Sequence, residues 1–279
     1  MKTRIIIDST ANLMADRRAL TTVIPLTVRF GEEEFIDGVT ITNEEFYKRL
    51  ETVETLPTTS QVTPEAFRDE FQKVADAGDE AVVITVASGL SGTCQSAHIA
   101  SKEFDNIYLV DSGNVAVGSG VMVEYALRLV EEGKSAKEIK DILDSIKDKL
   151  YIIAMVDTLK YLKMGGRISG VVSLVGGLLN IKPIVKVYDG AIHQIGKARG
   201  AKLGNQALIE EIKKVGEIDY TKPVLFGHSG QSDEGVKLFL EQTKDFWKDG
   251  NAPKESILMG STIGTHAGPG IVAIAFFSK

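Results

Sequence analysis

Residues 87–97, with the sequence A-S-G-L-S-G-T-C-Q-S-A, carry the small and hydroxyl-bearing side chains that are best suited to bind a ligand. The apolar run before them, residues 81–86, predicts a buried strand, and residues 98–104 after them continue as a predicted helix. Such a strand-to-helix turn lies at the carboxyl end of its strand, where α/β sheets bind ligands and free backbone N–H groups favour anions. Ser91 and Thr93 are therefore candidate ligands for a negatively charged group.

Two further groups of hydroxyl side chains occur at predicted chain turns. Residues 56–64 contain two prolines and predict a loop, in which Thr63 caps the helix that begins at Pro64. Thr58, Thr59 and Ser60 have no capping role in that loop, so they form a second set of candidate donors. The sequence D-S-T at residues 8–10 ends the first predicted strand, where it either caps a helix or lies in a site.

Two cationic candidates occur in glycine-rich surroundings. His266 lies within residues 264–270, which predict a constrained loop, and an imidazole there is a suitable partner for a carboxylate. Arg167 follows two glycines, which let the backbone turn tightly. The apolar segment after it, residues 168–179, lacks a charged face and predicts either a core helix or the wall of an apolar pocket.

The sequence lacks the residue patterns that several kinds of catalytic or cofactor-binding site require. The four histidines are scattered without metal-ligand spacing, and neither the dinucleotide nor the phosphate-loop fingerprint follows a strand. The serine-hydrolase pattern G-x-S-x-G is not met around Ser91. A thiol nucleophile at Cys94 with His266 as its base stays open, although a buried, inert cysteine is the commoner case. We therefore expect a binding protein with no catalytic residues, no metal and no cofactor.

The overall composition limits the kinds of partner and the cellular compartment that we expect. The net charge of −6 is spread over 279 residues, which argues against nucleic acid as the main partner. A single cysteine excludes an intrachain disulfide and suits a reducing compartment. No apolar stretch approaches the length of a membrane span, so we expect a cytoplasmic protein without an integral membrane segment.

The order of predicted elements indicates an α/β fold with two domains. Strands and helices alternate through residues 1–150, which predicts a mostly parallel sheet with helices on both faces. Residues 151–279 combine crossovers with a hairpin, whose two-residue turn is Asp189-Gly190, and therefore predict a second α/β domain with a mixed sheet.

Five short motifs together resemble the bacterial DegV family, and the match extends from the first strand to the last. They occur in the order D-S-T at residues 8–10, T-S-Q at 59–61, L-S-G-T at 90–93, L-x-x-G-G-R-I at 162–168 and I-G-T-H-x-G-P-G at 263–270. Some members are the fatty-acid-binding subunits of fatty acid kinase. The resemblance implies that a long-chain fatty acid lies between the two domains, and that its carboxylate is held by Thr59 and Ser91 with support from Arg167 and His266. The expected ligand-binding set is Thr59, Ser60, Ser91, Gly92, Thr93, Arg167, Thr265 and His266.

The resemblance also implies a partner. A separate kinase subunit would phosphorylate the carboxylate to an acyl phosphate, which then enters phospholipid synthesis. The basic residues Lys197, Arg199 and Lys202 lie where family members are thought to contact that kinase, and a solvated basic loop is the equal alternative. Val62, Cys94 and Met164 depart from residues common in the family, which leaves the chain-length preference open.

Two other functions remain open from the sequence. One is an acyl hydrolase or transferase that uses Ser91 or Cys94 as its nucleophile with His266. The other is a protein that binds a different small anionic lipid.

Overall fold

The computed structural model describes residues 1–170, 180–247, 252–253 and 255–279 of the chain. It contains 13 strands, which are β1 (Thr3–Asp8), β2 (Thr22–Ile24), β3 (Thr27–Phe30), β4 (Glu33–Ile36), β5 (Thr58–Ser60), β6 (Glu80–Thr85), β7 (Ile107–Asp111), β8 (Leu150–Met155), β9 (Ile181–Tyr188), β10 (Ala191–Arg199), β11 (Val224–His228), β12 (Ser256–Leu258) and β13 (Val272–Phe277) among the described residues. The helices within the same ranges are α1 (Ala15–Arg18), α2 (Asn43–Leu50), α3 (Pro64–Asp76), α4 (Thr93–Ser101), α5 (Val117–Glu131), α6 (Ala136–Ile146), α7 (Lys160–Met164), α8 (Gly200–Val215), α9 (Glu234–Gln242) and α10 (Ser261–Ala267).

The first sheet is parallel, as the alternation of strands and helices predicts. Its four strands have the order β2-β1-β6-β7, and all three pairings are parallel. Every residue of β6 is buried, which explains why this strand is an apolar run without alternation. The carboxyl ends of β1 and β6, next to Asp8 and Thr85, are neighbours at one edge of this sheet.

The second sheet is mixed, which also agrees with the sequence. Its six strands have the order β10-β9-β8-β13-β11-β12, with one parallel pairing, β11 with β12, among antiparallel ones. The hairpin of β9 and β10 turns at Asp189 and Gly190, whose φ angles of 50° and 67° are those of a primed two-residue turn. All strands from β8 onward belong to this sheet, and the exact domain boundary at residues 150–151 stays a prediction.

The third sheet corrects one prediction for the first half of the chain. Residues 58–60 are the strand β5 rather than a loop, and β5 pairs with β3, which also pairs with β4. Residues 22–30 form two strands, because β2 joins the first sheet and β3 joins this one. Pairing of Thr59 with Val28 places the hydroxyl-rich segment next to β3, in which Val28 and Phe30 are buried.

Helix ends follow the sequence closely where capping residues are present. Thr42 and Ser135 form complete capping boxes before α2 and α6, and the hydroxyl of Thr63 accepts a hydrogen bond from the third residue of α3. Gly133 follows α5 with a φ angle of +80°, which glycine adopts readily at the end of a helix.

One core connects the two main sheets. Helix α5 packs against strands of both sheets, and its buried side chains belong to a cluster that includes residues of β1, β6, β8 and β13. Because this helix is buried on most of its surface, it has the low-polarity sequence of a core helix. In the described part of the chain, no helix has both the length and the apolar character needed to cross a membrane.

Candidate functional site

A cavity of about 390 Å³, which we call the main cavity, lies between elements of the two halves of the chain. Its wall includes the ends of β1 and β6, the strand β5, the turn before α4, the segment after α7 and one face of α10. Six of the eight residues expected at the site line it, which are Thr59, Ser60, Ser91, Gly92, Arg167 and His266. Hydroxyl groups at strand ends therefore meet a guanidinium and an imidazole in one cavity.

Thr59 and His266 are in direct contact, with Oγ1 and Nε2 2.7 Å apart. The strand β5 positions Thr59, and α10 positions His266. The predicted constrained loop at residues 264–270 is wrong for its first part, because residues 264–267 are the last turn of α10 and only the following residues leave the helix. Gly268 and Gly270 then turn the chain with φ angles of 75° and 81°.

Burial and a neighbouring cation keep His266 neutral. Burial, together with the smaller effect of the positive charge of Arg167, lowers the pKa of its imidazole to about 4. The second ring nitrogen, Nδ1, is buried and has no hydrogen-bond partner in the described part of the structure. A neutral imidazole either donates to or accepts from Thr59, so the hydroxyl of Thr59 remains available to a ligand in one of the two tautomers.

Arg167 connects two walls of the main cavity. Its Nε–H donates to the backbone oxygen of Leu90 over 3.2 Å, and Nη1–H donates to that of Gly165 over 2.5 Å. Among the residues that the structure describes, no carboxylate forms an ion pair with this guanidinium. Within that part of the chain its positive charge is bound by carbonyl oxygens alone, so it can attract a ligand carboxylate.

The glycines next to these residues have steric roles. A Cβ atom on Gly165 would lie 2.3 Å from Nδ1 of His266, and Gly166 has a φ angle of +68°. A Cβ atom on Gly92 would lie 2.0 Å from Oε1 of Gln61, so a larger residue would separate the segment after β5 from the start of α4. Gly165 and Gly92 therefore allow wall segments of the main cavity to approach closely, and Gly166 allows the chain to turn.

Ser91, Thr93 and Thr265 have different positions relative to the cavity. Ser91 lines the cavity, and its Oγ lies 2.9 Å from Oγ1 of Thr93 and accepts the backbone N–H of Thr93 over 3.2 Å. Thr93 is fully buried behind Ser91 and accepts the N–H of Val62. Thr265 is buried within α10 and donates to the backbone oxygen of Ser261, so neither Thr93 nor Thr265 lines the cavity.

Two buried carboxylates outside the expected set hold the walls together. Asp37, which is 3% exposed, accepts hydrogen bonds from the hydroxyls of Ser9 and Thr262 and from the first N–H groups of α10. Asp8 accepts the N–H of Val86 and thereby joins the ends of β1 and β6, while burial raises the pKa of this carboxyl. The D-S-T motif indicates the position of Asp8, but no sequence pattern indicates Asp37, because its partners in α10 lie more than 220 residues away.

A smaller cavity of about 50 Å³ continues the main cavity along the second sheet, and we call it the apolar extension. The two cavities share five wall residues, which are Val115, Leu162, Ile192, Ile263 and Ala267. Small side chains of the second sheet, Ala154 and Ala273, form the floor of the extension together with branched aliphatic residues. Residues 168–179 are the segment predicted as a pocket wall. Of these, residues 171–179 lie outside the described residues.

Cys94 does not line the main cavity. It is a free, buried thiol in the first turn of α4, and burial raises the pKa of this thiol. The basic residues are exposed, but they are not in a loop: Lys197 and Arg199 belong to β10 and Lys202 belongs to α8. In the described ranges, no group of histidine, cysteine or acidic residues has the arrangement of a metal site.

Comparison with known proteins gives a consistent result over the length of the chain. A model of the family described as "Uncharacterised protein, DegV family COG1307" matches residues 2–279. The chain is similar to the DegV domain-containing protein YteA of Lactococcus lactis, with 35% identity over 291 aligned residues that cover 100% of this chain and 99% of that protein.

Two solved structures are similar in fold and are described by their lipid ligands. A DegV family protein from Thermus thermophilus, described as fatty acid binding, is 28% identical with a TM-score of 0.87, and the match covers 100% of both chains. A stearic acid-binding protein from Eubacterium ventriosum is 27% identical with a TM-score of 0.83, and the match covers 100% of this chain and 99% of that one.

Proposed function

The chain belongs to the DegV family, since the family model matches residues 2–279, and on this basis we propose that it binds a long-chain fatty acid. The fatty acid carboxylate lies in the main cavity near Thr59, Ser91 and Arg167, and the acyl chain extends into the apolar extension. The main cavity, which carries hydroxyl, imidazole and guanidinium groups, is continuous with a smaller cavity whose exposed wall surface is apolar, and this continuity is the observation that carries the proposal. The fatty acids named for two similar structures support the same ligand class.

The polar end of the main cavity offers hydrogen bonds and one unpaired positive charge. The hydroxyls of Thr59 and Ser91 line the cavity, and Arg167 supplies the charge without a carboxylate of its own in the described part of the chain. His266 is neutral at pH 7 and orients Thr59 through the 2.7 Å contact. A carboxylate with ionic hydrogen bonds to this set gains about twice the stabilisation of neutral hydrogen bonds.

The apolar extension determines how much of the acyl chain is buried. Transfer of each methylene group from water contributes about 0.8 kcal/mol before the cost of binding is subtracted. The floor at Ala154 and Ala273 sets the depth that the chain end reaches in this extension. A long-chain acid is therefore favoured over a short one of the same head-group chemistry.

The fate of the bound acid is the second part of the proposal. We infer that a separate kinase subunit phosphorylates the exposed carboxylate and that the acyl phosphate enters phospholipid synthesis. The polar end of the main cavity carries hydroxyl, imidazole and guanidinium groups. These groups bind a carboxylate but do not react with it. The exposed cations Lys197, Arg199 and Lys202 lie on β10 and α8, and β10 also contributes Ile192 to the cavity wall. An acidic surface of the kinase is the expected partner of these cations.

The alternative of an acyl hydrolase requires contact between a nucleophile and its base. In the described structure Ser91 bonds with Thr93, while Nε2 of His266 contacts Thr59. Cys94 is buried outside the cavity with a raised thiol pKa. These contacts favour binding over nucleophilic catalysis.

The test compares a fatty acid with its methyl ester. Delipidated protein is titrated by calorimetry with stearic acid and with methyl stearate, which differ in charge but have the same acyl chain. We expect the acid to bind at least tenfold more tightly, because the ester lacks the ionic hydrogen bonds that contribute about 1.5–3 kcal/mol. Equal affinity for the two compounds would exclude a carboxylate site at Thr59, Ser91 and Arg167.

The kinase step has its own assay. The protein loaded with stearic acid is incubated with ATP, with and without the fatty acid kinase subunit of a DegV-containing bacterium, and hydroxylamine traps any acyl phosphate as a hydroxamate. We expect hydroxamate only when the kinase is present, and less of it after combined replacement of Lys197, Arg199 and Lys202 by glutamine. Hydroxamate formation by this chain with ATP alone contradicts the assignment of catalysis to a partner.

A further inference from the structure

Gln61 connects the two chain segments that carry the hydroxyl groups proposed for the fatty acid carboxylate. It follows the last residue of β5 and lines the main cavity, as Thr59 and Ser91 do. Thr59 belongs to β5, whereas Ser91 precedes α4, so no single strand or helix holds both hydroxyls. The distance between them therefore depends on contacts between the segment after β5 and the start of α4.

The side chain of Gln61 lies along the amino end of α4. Its Nε2–H donates to Oγ of Ser96 over 3.0 Å, and Ser96 is only 2% exposed. A Cβ atom on Gly92 would lie 2.0 Å from Oε1 and 2.7 Å from Cδ of Gln61, so the amide also packs against this glycine. Residues four positions apart share one face of a helix. One amide thus contacts the start of α4 at two points that are about one turn apart.

A second hydrogen bond joins the same two segments. The N–H of Val62 donates to Oγ1 of Thr93 over 3.4 Å, and that oxygen lies 2.9 Å from Oγ of Ser91. Among the described residues, the bonds from Gln61 and Val62 are the two hydrogen bonds that connect residues 59–62 with residues 91–96. The bond from Gln61 is the shorter of the two and therefore the stronger connection.

The position of its amide suits Gln61 for holding the two segments together rather than for binding the carboxylate. Its oxygen, which a carboxylate repels, packs against Gly92, and its nitrogen donates to Ser96. Hydroxyl donors lose strength steeply when their distance or angle departs from the ideal. Two hydroxyls that are in place before the ligand arrives therefore bind it at a lower cost.

We propose that Gln61 is a positioning residue of the carboxylate site, which holds Thr59 and Ser91 at the separation at which both hydroxyls bond one carboxylate. This inference rests on the proposed function, since it requires the carboxylate to lie between these hydroxyls. The described wall of the main cavity does not include Ser96, so Ser96 acts on the ligand only through Gln61. Affinity for the head group then depends on the contact between Gln61 and Ser96, whereas affinity for the acyl chain does not.

The experiment measures the binding of stearic acid and of methyl stearate to the delipidated full chain by calorimetry. Gln61→Met keeps the length of the side chain without its amide, and Ser96→Ala removes the partner of that amide from a buried position outside the cavity. The double variant Gln61→Met, Ser96→Ala completes the cycle. Gln72→Met is the matched control, because Gln72 lies on the exposed face of α3 and its Nε2–H donates to Asp76 over 2.7 Å.

We expect each single variant to bind stearic acid roughly five- to tenfold more weakly, since an ionic hydrogen bond is misaligned rather than removed. Binding of methyl stearate is expected to be unchanged, so the preference for the acid over the ester falls by the same factor. The double variant is expected to bind no more weakly than either single variant, because both changes remove one contact. Gln72→Met is expected to match the unmodified chain.

Melting temperatures establish that each variant is folded, and Ser96→Ala decides the matter alone if Gln61→Met does not fold. Three results overturn the positioning role: unchanged affinity for stearic acid in the folded variants, an equal loss for the acid and the ester, or a loss in Gln61→Met that Ser96→Ala does not share. The last result assigns Gln61 a direct contact with the carboxylate. An unmodified chain that binds acid and ester equally refutes the carboxylate site itself, and the role of Gln61 with it.

Discussion

Replacement of Arg167 by glutamine tests two functions of one side chain. In the structure Arg167 bonds to the backbone oxygens of Leu90 and Gly165, and its charge lowers the pKa of His266. Glutamine retains an amide N–H that is able to donate to one of these oxygens, but it carries no charge. The substitution Arg167→Gln therefore removes the attraction for a ligand carboxylate and the repulsion of an imidazolium together.

The expected magnitudes follow from these contacts. A hydrogen bond to a charged group contributes about 1.5–3 kcal/mol. Its loss raises the Kd for a fatty acid roughly 10- to 150-fold, since about 1.4 kcal/mol is tenfold. The pKa of His266 rises above its present value of about 4 but stays below the ordinary value of 6.5, because burial is the larger cause of the shift and remains.

The assay combines calorimetry with NMR titration of the histidine ring protons. The four histidines are assigned by single replacement, and His98 on α4 serves as an internal reference. Arg68→Gln, an exposed cation paired with Glu103, is expected to change neither quantity. If Arg167→Gln binds stearic acid with unchanged affinity and leaves the pKa of His266 where it was, the electrostatic account of the site is wrong.

Three further predictions address the polar contacts, the acid stability and the acyl chain. Thr59→Val keeps the side-chain shape but removes the 2.7 Å contact with His266. Calorimetry is expected to show about tenfold weaker binding of stearic acid to this variant. Unchanged affinity would mean that Thr59 is not part of the site. Unfolded His266 titrates near 6.5 and the folded residue near 4, so the unfolded chain binds more protons between these values and stability falls as the pH drops through this window. Urea denaturation of His266→Gln is expected to lack that part of the fall, and an identical pH dependence contradicts the neutral, buried imidazole. Ala154→Leu fills the floor of the apolar extension and is expected to shift preference from stearic towards lauric acid in competition assays, whereas an unchanged ratio places the chain end elsewhere.

The regular parts of the fold follow from local patterns in the sequence. The apolar run of β6 and its alternation with helices indicate a parallel sheet, and Asp189-Gly190 indicates the hairpin of the second sheet. Capping boxes at Thr42 and Ser135 give the starts of α2 and α6. In each case the signal lies within a few residues of the element that it describes.

The errors lie where distant contacts override a local preference. Residues 58–60 have the composition of a loop, but pairing with β3, about thirty residues earlier, makes them a strand. Gly264 and its neighbours predict a loop, yet α10 is helical because Asp37 bonds its first turn from a position 224 residues earlier. A single sequence does not reveal such pairings, since neither partner is unusual in its own surroundings.

The candidate site also combines features that the sequence predicts with features that it does not predict. Reasoning from the residues selects Ser91, Thr59, Arg167 and His266 as separate candidates, and the resemblance joins them into one site. All four line one cavity. The sequence does not distinguish Ser91, which lines the cavity, from Thr93, which supports it from behind. Their side chains differ by a single methyl group, so only the direction of each side chain separates the two roles.

The most direct test of fatty acid binding is the lipid that the chain retains from the cells in which it is made. The protein is purified from bacteria under native conditions and denatured, and its extract is analysed by mass spectrometry beside that of an Arg167→Gln, Thr59→Val double variant. We predict a stoichiometric quantity of long-chain fatty acid from the unmodified chain and much less from the variant. An extract without fatty acid, from protein that also fails to bind stearic acid when titrated, would contradict the account.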